Sequence, residues 1–142
     1  MSAAVSSVTA RLAFSACRVL LVEDDPDMRL VLQQSLESDG HVVRACGRVD
    51  EALIAVDREE AFDVVITDVR LPGASGLELL AALRSRRVGA ARIVITGFGT
   101  DDVHDEATSL GAAVVFDKPF DVDDLRTAVV HVAPRANVAS ES

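Results

Sequence analysis

Three groups of residues in this chain combine into one piece of chemistry. Asp68 closes the run Asp63-Val64-Val65-Ile66-Thr67, Glu23-Asp24-Asp25 follows Arg18-Val19-Leu20-Leu21-Val22, and Lys118-Pro119 comes after Ala113 to Phe116. Each group lies just beyond a short apolar run of the kind that forms strands buried on both faces, so a parallel sheet gathers all three at one edge. Clustered carboxylates hold a hard cation such as Mg²⁺, which prefers oxygen ligands, and a lysine ammonium offsets charge on phosphoryl oxygens. Together they are the parts needed to move a phosphoryl group onto an aspartate.

Each residue also has a plainer reading. Asp25, next to Pro26, suits a helix cap, because proline is tolerated at the first helical position and an aspartate before it accepts from free helix N–H groups. Glu23 and Asp24 precede that cap and belong to the crevice beyond the strand ends, where open α/β sheets bind ligands. Carboxylates crowded there without a cation raise each other's pKa. Asp68 could serve the turn marked by Pro72, Gly73 and Gly76, but a turn does not explain a lysine ending another strand on the same edge. Lys118 competes with the reading of an ordinary solvated lysine; set before a proline it favours extended backbone, and the bond is a candidate for the cis form, which would aim the side chain over the crevice. Thr96 ends a further strand, where a β-branched residue is common, and its place beside Asp68 offers a hydroxyl to a phosphoryl oxygen. Gly97 and Gly99 flank Phe98 in the loop that follows; neither GxGxxG nor GxxxxGK[ST] occurs.

The elements that would position these residues alternate regularly. Strands are expected over Arg18–Val22, His41–Ala45, Asp63–Thr67, Arg92–Thr96 and Ala113–Phe116. Helices are expected from Pro26 to Asp39-Gly40, over Val49–Asp57 and Leu77–Arg86, from about Asp102 to Leu110, and along Val122, Leu125, Val129 and Val132. Such alternation predicts an α/β fold, a doubly wound five-stranded parallel sheet in the order 2-1-3-4-5, with its switch point between the first and third strands. That order sets the acidic cluster beside Asp68.

Composition narrows the function. With 142 residues, 49% of them hydrophobic, the chain can bury one core without disulfides or structural metals. A net charge of −9 argues against direct nucleic-acid binding, which relies on clustered Lys and Arg. Cys17 and Cys46 form no CxxC or zinc pattern and are expected to pack as small apolar residues, which suits a reducing cytoplasm. Residues 1–16 lack the apolar segment of a signal peptide, and the stretch Leu12 to Cys17 lacks the one a lipid anchor requires. No run approaches the ~20 apolar residues of a membrane span. His41, His104 and His131 read as surface residues.

With these residues assembled, the chain from about Arg18 to Val132 resembles the receiver domain of two-component response regulators. The resemblance rests on Glu23-Asp24, Asp68 with Pro72 and Gly76 behind it, Thr96, Gly111-Ala112 and Lys118-Pro119-Phe120 in register with the βα units. It implies a flavodoxin-like receiver domain over 17–133, between a flexible extension over 1–16 and a flexible tail over 134–142. It also implies that Asp68 accepts a phosphoryl group from a histidine kinase or phosphotransfer protein. Asp24, Asp68 and the backbone carbonyl of Arg70 would bind Mg²⁺ directly and Glu23 through water, while Thr96 and Lys118 would contact the phosphoryl oxygens. Such a chain is not an enzyme beyond its own phosphotransfer and autodephosphorylation. It would work in the cytoplasm through a downstream protein target, with no output domain following, as a monomer or a phosphorylation-linked dimer.

One position departs from the family. Receivers usually carry Tyr or Phe three residues before the lysine, where this chain has Val115, and Phe116 falls on the opposite side of the strand because side chains alternate. That leaves room for a phosphorylation-independent interaction module as the competing function. A phosphatase of the haloacid type would need a second Asp two residues after the nucleophile, where this chain has Arg70. Arg70 and Phe98 are instead placed to shield an acyl phosphate from water.

Overall fold

The structure is a computed structural model that describes residues 16–133, apart from Glu59 and Phe98. The apolar runs become five parallel strands, β1 (Arg18–Val22), β2 (Val42–Cys46), β3 (Val64–Asp68), β4 (Ala91–Thr96) and β5 (Ala112–Asp117). Five helices connect and follow them: α1 (Pro26–Ser38), α2 (Val49–Asp57), α3 (Gly76–Ser85), α4 (Asp101–Ser109) and α5 (Val122–Val132). The sheet order is β2-β1-β3-β4-β5, the doubly wound order that the alternation predicts. The expected extension over 1–16, save Ala16, the expected tail over 134–142 and the Phe98 shield lie outside the described residues.

Apart from α2, where Arg48 makes no side-chain cap bond, the helices begin where the sequence offers an oxygen to free N–H groups. Asp25 caps α1 through the Asp27 amide, Thr100 caps α4 through Val103, and Asp121 caps α5 through Asp123. At α3, Ser75 and Glu78 exchange bonds in a capping box. Where α1 and α4 end, Gly40 and Gly111 take φ of 94° and 100°, a left-handed conformation that side chains with a Cβ rarely adopt.

Alternate residues of the strands feed two layers. Val19, Leu21, Ile66, Ile93 and Ile95 pack against Leu32 and Leu36 of α1 and Leu125 and Val129 of α5. On the opposite face, Leu20, Val22 and Val65 meet Ala52 of α2 and Leu79 and Leu83 of α3. Val94 and Ala112 complete that face against Leu80 of α3 and Ala107 of α4. Burial on both faces is what turns these strands into unbroken apolar runs, each buried Leu or Ile contributing ~1.5–3 kcal/mol.

Most element boundaries lie within a residue of expectation, and the shifts have causes. β2 starts at Val42 rather than His41, whose ring turns inward to accept the Cys17 N–H at 3.1 Å with the Cys17 thiol 3.4 Å away. β3 starts at Val64, and the Asp63 carboxylate just before it accepts the Arg18 N–H at 2.8 Å. Side chains thus close the sheet at the edge opposite the carboxylate cluster. β5 is two residues longer than expected, and its register against β4 slips between Arg92 and Ile93, which partner Ala112 and Val114. Ala113 is the extra residue of this bulge.

His41 is a correction to the sequence reading: it is buried, at 4% exposure, and not a surface residue. Burial holds its pKa below the usual histidine value, against the opposing charge of Asp39. The unfolded imidazole titrates near 6.5, so below that pH the unfolded chain takes up a proton that the folded chain refuses, and folding stability falls until the lower folded pKa is reached. His41→Gln keeps an acceptor for the Cys17 amide without titrating. Between about pH 7.5 and pH 5.5 the natural chain should lose more unfolding free energy in urea than this variant; equal losses would show that His41 is not the titrating group.

Candidate functional site

The sheet register brings the predicted residues together. Val22 pairs with Thr67, so the residues that follow, Glu23 and Asp68, leave adjacent strands side by side at the switch point. Glu23 still belongs to the ladder through its N–H to the Cys46 carbonyl at 3.0 Å. Asp68 pairs with Ile95, one residue before Thr96, and Thr96 pairs with Asp117, one residue before Lys118. The Lys118 amide then donates to the Thr96 carbonyl at 2.8 Å, and the Lys118–Pro119 bond is cis.

From the end of β5 the Lys118 side chain crosses two strands. Its Nζ donates to Asp68 Oδ2 at 2.6 Å and to Glu23 Oε1 at 3.2 Å. Both carboxylates are buried, with side chains only 6% and 2% exposed, while the lysine side chain is 29% exposed. Lys118 is therefore not the solvated lysine of the plainer reading. Burial pushes the Glu23 carboxyl up; the Asp25 N–H opposes this, the Asp68 charge adds to it, and Lys118 opposes it. Burial works against the Lys118 ammonium, yet the bond to Asp68 and the charges of Asp68 and Glu23 raise its pKa.

Asp24 completes the cluster from an exposed position, and one oxygen each of Glu23, Asp24 and Asp68 lie within 4.8 Å of one another. Oxygens on opposite sides of a Mg²⁺ ion at 2.0–2.1 Å are about 4.2 Å apart, so a hard divalent cation fits this donor set with small adjustments. Asp25 is the helix cap, as its plainer reading had it, and it also donates its N–H to Glu23 Oε2 at 3.2 Å.

The turn after Asp68 is folded tightly against it. The Arg70 N–H donates to Asp68 Oδ1 at 3.2 Å, and the Gly76 N–H donates to the Val69 carbonyl at 2.8 Å. A side chain on Gly76 would overlap the Asp68 carbonyl oxygen, which also accepts the Thr67 hydroxyl at 2.9 Å. Pro72 and Gly73 mark the turn, whereas Gly76 is there for close approach.

Side chains that periodicity could not single out support the same region. The Arg29 guanidinium on α1 donates to the Glu23 carbonyl at 2.8 Å. At the end of β5, Asp117 Oδ1 is 2.9 Å from His104 Nε2 of α4, and a side chain on Gly99 would overlap that carboxylate. Val115 packs with Leu80, Val94 and Ala107 on the α3–α4 side, while Phe116 lies in the α1–α5 layer with its ring 5.8 Å from that of Phe120. Phe116 does not replace the missing aromatic, as strand alternation predicts. Among the described residues, no helix is long and apolar enough to cross a membrane.

Residues 19–130 match the response regulator receiver domain family. The chain is 31% identical over 117 residues to the sporulation initiation phosphotransferase F of Bacillus subtilis, covering 82% of this chain and 94% of that protein. It is 38% identical over 113 residues to the transcriptional regulatory protein TcrA of Mycobacterium tuberculosis, covering 78% of this chain but 44% of that one. Among solved structures it resembles the response regulator protein TrrA of Thermotoga maritima in complex with Mg(2+)-BeF, with a TM-score of 0.72 and 29% identity over 81% of this chain and 97% of that one. An acidic cluster at the switch point, a lysine returning to it from the last strand, and a sequence match across nearly all of the described residues place this chain among the response regulator receiver domains.

Proposed function

We propose that this receiver accepts a phosphoryl group on Asp68 from a phosphohistidine of a histidine kinase or phosphotransfer protein, and that the new charge is read by a downstream protein. The observation that carries the reading is the Lys118 ammonium held between Asp68 and Glu23 beside three convergent carboxylate oxygens. Two carboxylates this buried require a cation at hand, and a lysine that bridges them also supplies the counter-charge a phosphoryl group needs.

In the transfer, an Asp68 carboxylate oxygen attacks phosphorus in line with the departing imidazole nitrogen. The O–P bond forms as the P–N bond breaks, and the electron pair of the broken bond stays on the imidazole. Mg²⁺, held by Asp24, Asp68 and the Arg70 carbonyl, with Glu23 acting through water, would offset charge on the phosphoryl oxygens during this exchange. Lys118 contacts one of those oxygens and keeps the Asp68 carboxyl aimed. Thr96, buried at the end of the neighbouring strand, offers its hydroxyl to another, which turns a charge change into movement at the start of the β4–α4 loop. Arg70, two residues beyond Asp68, shields the acyl phosphate from water and prolongs its life.

The place of action is the cytoplasm, and the state is a monomer or a phosphorylation-linked dimer. A phosphorylation-independent interaction module is the second reading, favoured by Val115 and, among the described residues, by the aliphatic packing around it in the α3–α4 layer. Incubation with Mg²⁺ and a small phosphodonor separates the two.

Asp68→Asn should abolish phosphate incorporation while the chain stays folded, because the amide preserves size and removes the nucleophile; incorporation at the natural level would refute the assignment. Asp24→Asn should weaken Mg²⁺ binding by about tenfold, ~1.4 kcal/mol, since a neutral amide is a poorer ligand for a hard cation. A Mg²⁺ titration that matches the natural chain would remove Asp24 from the ligand set. Lys118→Ala should retain Mg²⁺ binding and slow phosphotransfer, and it should cost ~1–3 kcal/mol of metal-free stability, reduced from the full buried-pair value by the partial exposure of the lysine. Denaturant unfolding with and without Mg²⁺ measures that loss; none at all would count against the bridge.

A further inference from the structure

We propose that Arg29 is a positioning residue for the cation site, acting through the Glu23–Asp24 peptide while touching none of the reacting atoms. The proposal rests on the phosphoryl-acceptor reading above and adds the device that fixes the acidic loop.

Glu23 is held by the sheet on one side only. Its N–H bonds to Cys46 of β2, but its carbonyl leaves the ladder where the chain turns into α1, and the acceptor left there takes the Arg29 Nη1–H at 2.8 Å. That carbonyl belongs to the peptide joining Glu23 to Asp24, so rotating this peptide would displace both carboxylates. Lys118 fixes the Glu23 side chain but makes no bond to Asp24. Arg29 is thus the contact that constrains the backbone between the two acids. Arg29 makes no ion pair with a carboxylate among the described residues, so its role here is carried by that carbonyl bond, while its charge works against a cation nearby.

Gly47, on the loop after β2, supplies an independent observation. Its φ lies outside the left-handed region, so its backbone does not demand glycine. A Cβ there would stand 2.9 Å from Arg29 Nη1, 3.7 Å from the Glu23 carbonyl oxygen and 3.8 Å from Asp24 Cα, so a side chain would push the guanidinium aside while meeting the loop backbone at ordinary contact distance. The guanidinium therefore lies against a position kept bare, with the acidic loop beside it. Partners that orient metal ligands typically affect metal affinity 10–100-fold when removed.

The test is Mg²⁺ titration by calorimetry on the natural chain, Arg29→Ala, Arg29→Lys and Gly47→Ala, with thermal unfolding of each without metal. Arg29→Ala should raise the Mg²⁺ dissociation constant about tenfold or more, and Arg29→Lys should recover part of that loss. Gly47→Ala keeps the charge and displaces only the guanidinium, and it should weaken Mg²⁺ in the same direction. Affinity at the natural level in Arg29→Ala would overturn the inference. So would tighter Mg²⁺ binding in Arg29→Ala, the result expected if the guanidinium acts only through its charge, and so would a loss there with none in Gly47→Ala, which would show that the placing of the guanidinium does not matter. A purely structural arginine would lower the unfolding temperature and leave the affinity where it was, which also overturns it. A natural chain that binds no Mg²⁺ would remove the phosphoryl-acceptor reading itself, an outcome visible before any variant is compared.

Discussion

Two buried carboxylates side by side, Glu23 and Asp68, are the constraint around which the rest of this molecule is arranged. Neither is surrounded by water, and burial together with the charge of Asp68 makes Glu23 harder to ionise. The molecule answers with one ammonium that touches both, at 3.2 and 2.6 Å. A site in this condition attracts further positive charge, and it is sensitive to any group that changes the balance. The phosphoryl group proposed for Asp68 would do so directly, because it would bring negative charge to a place already short of solvation.

The sheet makes the arrangement affordable in backbone terms. Parallel strands with the order β2-β1-β3-β4-β5 put β1 next to β3, and the register Val22 to Thr67 leaves the two acids neighbours at the same level. Thr96 and Lys118 arrive from β4 and β5 at matching levels for the same reason. The helices begin at this edge with Asp25, Ser75, Thr100 and Asp121 as caps, so oxygen-bearing side chains near the site divide between those that hold a helix end and those that remain for chemistry.

The sheet order, the helices and the convergence of Glu23, Asp24, Asp68, Thr96 and Lys118 were legible in the sequence because they follow from apolar runs and from what ends them. Hydropathy carries that information one strand at a time. The supporting contacts were not legible, since they depend on which loops face each other. No sequence pattern singles out Arg29 or Gly47; the reach of the guanidinium to the Glu23 carbonyl and its closeness to Gly47 exist only in the fold. Gly76 belongs to the same class, a glycine chosen for the Asp68 carbonyl rather than for its turn. His41 was misread because a lone polar residue at a strand start carries no sign that its ring caps the neighbouring strand's amide. The bulge at Ala113 likewise has no signature in hydropathy, yet it decides that Ala112 and Val115 share a face.

The lysine bridge also has a consequence along the chain. Its two bonds join residues 50 and 95 positions apart, and the longer span encloses most of the described residues. Closing loops of that length costs chain entropy before either bond returns anything, so contacts of this kind form after the local ones. A chain that has not yet added β5 holds its two acids without their cation, and the pocket comes into being only with the last strand. The carboxylate and lysine cluster is therefore complete only where all five strands are in place, since its parts come from β1, β3 and β5.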